Sequence, residues 1–118
     1  MTELIACLST GKGTWTDVVK LAASAEWDKI ILITDDFGAQ TFHKKDNMEL
    51  IVINANESVE LLIDKIYTNL KAKVEGSEVA LNFLSGSGKE HMALLSAVLK
   101  LGVGVRLVIP HVSGVKTI

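Results

Sequence analysis

One cysteine, one proline and no basic block larger than Lys44-Lys45 occur in the 118-residue chain, and each scarcity excludes something. A single thiol, Cys7, cannot close an internal disulfide, and its place in an apolar stretch reads as a buried, inert group. Three scattered histidines and that cysteine lack metal-ligand spacing, so neither a metal nor a cofactor is expected. Twelve basic against fourteen acidic residues leave no surface suited to duplex nucleic acid. No apolar run approaches the ~18 residues of a membrane span, and the N-terminus lacks the pattern of a signal peptide. The expectation is a cytoplasmic protein without a membrane partner. No linker, low-complexity tract or long repeat divides the chain, so residues 1–118 read as one domain, and 48% hydrophobic content is ample for its core.

What is present is an alternation of short apolar runs and amphipathic stretches. Residues 4–8 read as a buried strand. Thr14 can cap a helix reaching to about residue 26, with Trp15, Val18, Val19 and Ala22 on its core face. A second strand over 30–34 exits into Asp35-Asp36-Phe37-Gly38, and a short helix over 39–45 precedes a third strand over 48–53. Asn56 or Ser58 caps a long helix whose buried stripe is Val59, Leu62, Ile63, Ile66 and Leu70, while Lys65, Lys71 and Lys73 face water and Gly76 closes it. A fourth strand over 79–84 leads to a helix over 89–101, ended by Gly102 and Gly104. Residues 105–109 form a fifth strand stopped by Pro110, and the tail over 111–118 can add an edge strand through Ser113-Gly114.

This order predicts an α/β, Rossmann-like, doubly wound and mainly parallel sheet of about five strands, in the order 3-2-1-4-5. In that topology strands one and four are neighbours, and a crevice opens at their carboxyl ends. Two glycine-rich turns follow those two strands. The first carries Ser9, Thr10, Gly11, Lys12, Gly13 and Thr14; the second carries Ser85, Gly86, Ser87, Gly88 and Lys89. Each places backbone N–H groups, hydroxyls and one ammonium at the positive end of a helix dipole, which is an anion site. A tight strand-to-helix turn takes glycine whether or not it binds anything. Two such turns meeting at one crevice favour a phosphate-bearing ligand.

Named motifs do not fit. The pattern G-x-x-x-x-G-K-[ST] would need glycine at Phe83 and a hydroxyl at Glu90, and G-x-G-x-x-G starts at Gly11 and Gly13 but meets Thr16 in third place. Asp35 and Asp36, about twenty residues on, keep a nicotinamide or mononucleotide alternative open, although loop acids are the plainer reading.

With both turns in view, the chain resembles the CARF family, Rossmann-like sensor domains associated with CRISPR systems. Ser85-Gly86-Ser87-Gly88-Lys89, followed by Met92, is similar to that family's strand-four signature, in which a hydroxyl residue precedes a lysine by four positions. The family commonly has Asn or Asp two residues before that hydroxyl residue; here Phe83 holds the place and Asn82 lies one earlier. The resemblance implies a homodimer binding a cyclic oligoadenylate across its two-fold axis, acting as a stand-alone sensor, a sponge or a ring nuclease. Cleavage would use the ligand's own ribose 2′-hydroxyl without metal. Lys89 and Lys12 would stabilise charge, and Ser85, Ser87, Ser9 and Thr10 would orient phosphate oxygens, with Ser85 and Lys89 as the catalytic candidates.

Independently of the resemblance, the 89–101 helix is apolar on nearly every face, through Ala93, Leu94, Leu95, Ala97, Val98, Leu99 and Leu101. A positive mean hydropathy also points to apolar surface covered by a second subunit. His91 lies in the first turn after Lys89, within reach of a ligand or as a general base, against a solvated helix histidine. His43 with Lys44 and Lys45 reads as a surface loop or a lid over the crevice, Trp15 as core or base-stacking, and His111 as structural. A ligand-free assembly subunit is the third class of function left open.

Overall fold

β-Branched and leucine-rich runs bounded by turn residues form the strands, and 3.6-periodic stretches form the helices, three of them opened by Asp35, Ser58 and Ser87. The computed structural model describes residues 2–8 and 15–118. In chain order the elements are β1 (Glu3–Leu8), α1 (Trp15–Ala23), β2 (Lys29–Thr34), α2 (Asp36–Thr41), β3 (Met48–Val52), α3 (Val59–Lys73), β4 (Glu78–Asn82), α4 (Gly88–Leu101), β5 (Gly104–His111) and β6 (Gly114–Thr117). The sheet runs β3-β2-β1-β4-β5-β6, parallel up to β5, with β6 as an antiparallel edge. The expected Rossmann-like order and the extra edge strand are both present.

β1 is buried along its whole length, as the centre of a two-faced parallel sheet must be. Its alternate residues divide the core. Ile5 and Cys7, with Ile31, Ile33, Val79 and Leu81, face the layer of α3 and α4. Leu4, Ala6 and Leu8, with Ile30, Leu32 and Ala80, face the layer of α1. On α3 the stripe Leu62, Ile66 and Leu70 is fully buried, each side chain contributing about 1.5–3 kcal/mol. Among the described residues no helix is long and apolar enough to cross a membrane.

The structure corrects several boundaries, each for a local reason. α1 ends at Ala23 because the chain turns inward to bury Trp27, whose indole donates to the Leu21 carbonyl at 3.0 Å. Its core pair is Val18 and Leu21, and Val19 is 47% exposed. α2 starts three residues earlier than expected because Asp35 caps it, accepting from the Gly38 amide at 2.8 Å. α3 closes at Val74, capped by Ser58, and the Gly76 amide instead donates to the buried Glu3 carboxylate at 2.7 Å. Lys73 is drawn from water into an ion pair with Glu49 at 3.2 Å, whose other oxygen meets Lys29 at 3.4 Å. β5 continues through Pro110 because its ladder with β4 stops at Leu107, so the missing N–H interrupts no parallel hydrogen bond.

β4 ends at Asn82, two residues short of the expected 84. The buried Asn82 amide donates to the Val108 carbonyl at 2.8 Å, and its oxygen accepts from the Leu84 amide at 3.1 Å. The side chain thus replaces the next rung of the ladder and bends the chain toward α4.

Candidate functional site

At the carboxyl edge of the sheet, β1 and β4 run side by side with Ala6 opposite Asn82, so the turns that follow them start from adjacent strands. The first, with Ser9, Thr10, Gly11, Lys12, Gly13 and Thr14, lies outside the described residues. The second is described throughout.

That turn is built around Gly86, which has φ +107°. A Cβ there would sit 2.9 Å from both the Cys7 Cβ and the His91 Nε2, so the fold itself demands glycine. Ser87 then caps α4: its hydroxyl accepts from the Glu90 amide at 3.2 Å, and Glu90 returns a carboxylate oxygen to the Ser87 amide at 2.7 Å. This capping box satisfies the amides of Ser87 and Glu90 and leaves those of Gly88 and Lys89 at the helix start. Gly88 has an ordinary backbone, and among the described residues a methyl group placed on its α-carbon would meet no neighbour within 4 Å. None of the described residues demands glycine there.

His91 locks the turn. Its Nε2–H donates to the Ser85 carbonyl at 2.7 Å, and its ring stacks on Phe83 with centroids 4.8 Å apart. A carbonyl only accepts, so the proton sits on Nε2 and Nδ1 is the nitrogen left for other chemistry. Phe83, where the family pattern has Asn or Asp, is therefore a platform for His91, and Asn82 is spent on β5 and Leu84. Lys89 reaches away from the turn and donates to the Ala55 carbonyl at 2.9 Å, bridging α4 to the β3–α3 connection through an exposed hydrogen bond. Ser85 is 1% exposed.

Cys7 lies beneath the turn, fully buried, and burial pushes its thiol up to about 12, with the charge of Glu90 adding to the effect. The Glu90 carboxylate also offsets part of the positive potential that the start of a 14-residue helix offers an anion. Lys89 restores some of it.

Ser85, Gly86, Ser87, Gly88, Lys89 and His91 thus form one continuous turn and helix start. The other candidates lie elsewhere. Asp35 is engaged as the α2 cap, and Trp15 packs half-buried against Phe37 and Phe42, with centroids 6.2 and 6.0 Å away. His43, Lys44 and Lys45 precede β3 and so lie at the amino ends of the strands, opposite the crevice; they form no lid over it. His111 is exposed and its Nδ1 meets the Ser113 hydroxyl at 2.9 Å across the β5–β6 turn. Among the described residues no group of three or more His, Cys, Asp or Glu could hold a metal ion.

Two site residues escaped the sequence reading. Glu90 was announced by the S-x-x-E spacing from Ser87, a recognised helix-start signal. Phe83 carried no signal, since its role depends on where His91 lands. No protein-family model matches the chain, and no curated protein matches it.

Proposed function

We propose that the protein is a dimeric binder of cyclic oligoadenylate, acting as a CARF-like stand-alone sensor, a sponge or a metal-independent ring nuclease. The observation that carries this reading is Gly88. Of the two glycines in the turn, Gly86 is accounted for by its backbone and neighbours, whereas Gly88 meets nothing among the described residues and weakens the helix by roughly 0.5–1 kcal/mol relative to alanine. A bare first helical position is what close approach of a phosphate to the Gly88 and Lys89 amides requires.

The helix start supplies only ~0.3–2 kcal/mol toward an anion, so tight binding draws on Lys89, on Lys12 of the first turn and on a second subunit. Ser87 accepts an amide but keeps its O–H to donate to a phosphate oxygen. The ammonium of Lys89 can leave the Ala55 carbonyl at modest cost, because that bond is exposed. A two-fold mate is supported by Met92 and Leu99, two turns apart on α4 and 62% and 66% exposed. In ring cleavage the ribose 2′-oxygen would bond to the adjacent phosphorus as the bond to the 5′-oxygen breaks, leaving a 2′,3′-cyclic phosphate. The protein then holds geometry and offsets charge.

The test mixes the protein with cyclic tetra-adenylate or hexa-adenylate at equimolar dimer, without metal, and follows binding heat and ligand mass over hours. Binding with linear products makes it a ring nuclease, and binding alone a sensor or sponge; Lys89→Ala should weaken either by about tenfold or more. Absence of binding at ~100 μM ring would overturn the proposal. The assembly-subunit reading is favoured by the exposed apolar residues Leu84, Met92, Leu99 and Leu107, and would leave Lys89→Ala without effect.

A further inference from the structure

On the sheet face opposite α3 and α4, the six residues of α2 leave the sheet incompletely covered, and a cavity of about 530 Å³ opens between α1 and the α2–β3 connection. Trp15, Val19 and Ala22 of α1 form one wall, and Ile30, Phe42 and Met48 form the other. Trp15 and Phe42 meet edge to face, with centroids 6.0 Å apart, so the two walls join at an aromatic corner. At its rim stand His43, Lys45 and Asn47, and among the described residues no acidic side chain lines it. Among the described residues the Lys45 ammonium has no hydrogen bond or ion pair.

Apolar walls with a few convergent polar groups, in a volume of roughly 300–1,000 Å³, are the physical pattern of a small-molecule site. The charge at the rim selects the ligand. An apolar body would cover Val19, Phe42 and Met48, while an anionic head would meet the Lys45 ammonium at the rim. We infer that this cavity binds a small amphipathic monocarboxylate, its carboxylate on Lys45 and its hydrocarbon against Trp15, Val19 and Phe42. Ile30 and Met48 pair at the amino ends of β2 and β3, so the Lys45 rim lies at the end of the sheet opposite the crevice, with Trp15 at the start of α1 as the lining residue nearest the first turn, and the inference does not rest on the function proposed there.

The test titrates the full chain with the amphipathic fluorophore 1-anilinonaphthalene-8-sulfonate and displaces it with decanoate. One equivalent should bind, and decanoate should displace it about tenfold more effectively than decanol. Lys45→Glu, at an exposed position, should weaken both ligands about tenfold with an unchanged urea midpoint. Val19→Glu should abolish binding, whereas Leu107→Glu, on the other sheet face, should leave it intact. Any of four results would overturn the inference: no saturable binding below ~1 mM, equal displacement by decanol, binding indifferent to Lys45→Glu and Val19→Glu, or binding lost in Leu107→Glu.

Discussion

Replacing Gly86 by alanine forces a side chain into a backbone conformation with φ +107° and sets its Cβ 2.9 Å from a core carbon of Cys7 and from His91 Nε2. The backbone term costs roughly 1–3 kcal/mol. Overpacking against Cys7, which is fully buried and cannot retreat, adds about 1–3 kcal/mol. The expected loss of ~2–6 kcal/mol is a large share of the ~5–15 kcal/mol that holds a domain of this size together. Gly88→Ala is the internal control, the same substitution made where the Cβ meets none of the described residues, and should stabilise by about 0.5–1 kcal/mol. Urea unfolding followed by far-ultraviolet circular dichroism reads both as midpoint shifts at constant slope. Opposite signs are required. If Gly86→Ala lies within ~0.5 kcal/mol of the wild type, or Gly88→Ala destabilises as much, the division of roles between the glycines is wrong. The same pair probes function, since Gly88→Ala should lose ring affinity while gaining stability.

Glu3→Gln should destabilise by about 1–3 kcal/mol, because the buried carboxylate accepts from the Glu75 and Gly76 amides and the new NH₂ would face one of them; a urea midpoint shift equivalent to under ~0.5 kcal/mol would refute that role. The Cys7 thiol, raised from 9.0 to about 12 by burial and then by Glu90, should stay unlabelled by Ellman's reagent at pH 8 in the folded protein. Its linkage to stability runs one way. The unfolded thiol ionises first, so stability is fully present below pH 9.0 and is lost as pH rises toward about 12. Urea midpoints should therefore fall more steeply with alkaline pH in the wild type than in Cys7→Ala, and parallel slopes would count against the shift.

Much of the architecture is legible in the chain alone. The alternation of strands and helices, the α3 stripe of Leu62, Ile66 and Leu70, a cap at Asn56 or Ser58, of which Ser58 is the one used, and the edge strand after Ser113 follow from periodicity and turn chemistry, which are local. The strand order follows from the connection rules of a parallel sheet. The boundaries that shift have a shared cause. Asp35, Asn82 and Trp27 each end or start an element through a side-chain hydrogen bond, and two of these partners, Val108 for Asn82 and Leu21 for Trp27, become available only when the chain folds back. Pro110 reads as a stop in the sequence because its place beyond the β4 ladder is a matter of register.

At the candidate site the sequence by itself determined the residue types and their order: two hydroxyls, two glycines, a lysine and a histidine after the fourth strand. It also determined that α4 would begin there, since Ser87 and Glu90 form a local capping box. Only the tertiary structure decided that Gly86 belongs to the fold and Gly88 does not, because that depends on Cys7 from a neighbouring strand. It alone turned Lys89 toward Ala55, seated His91 between Phe83 and the Ser85 carbonyl, and left a cavity beside the short α2. Local propensity is written along the chain, whereas the free volume around a given Cβ is set by residues tens of positions away, and it comes into existence only with packing.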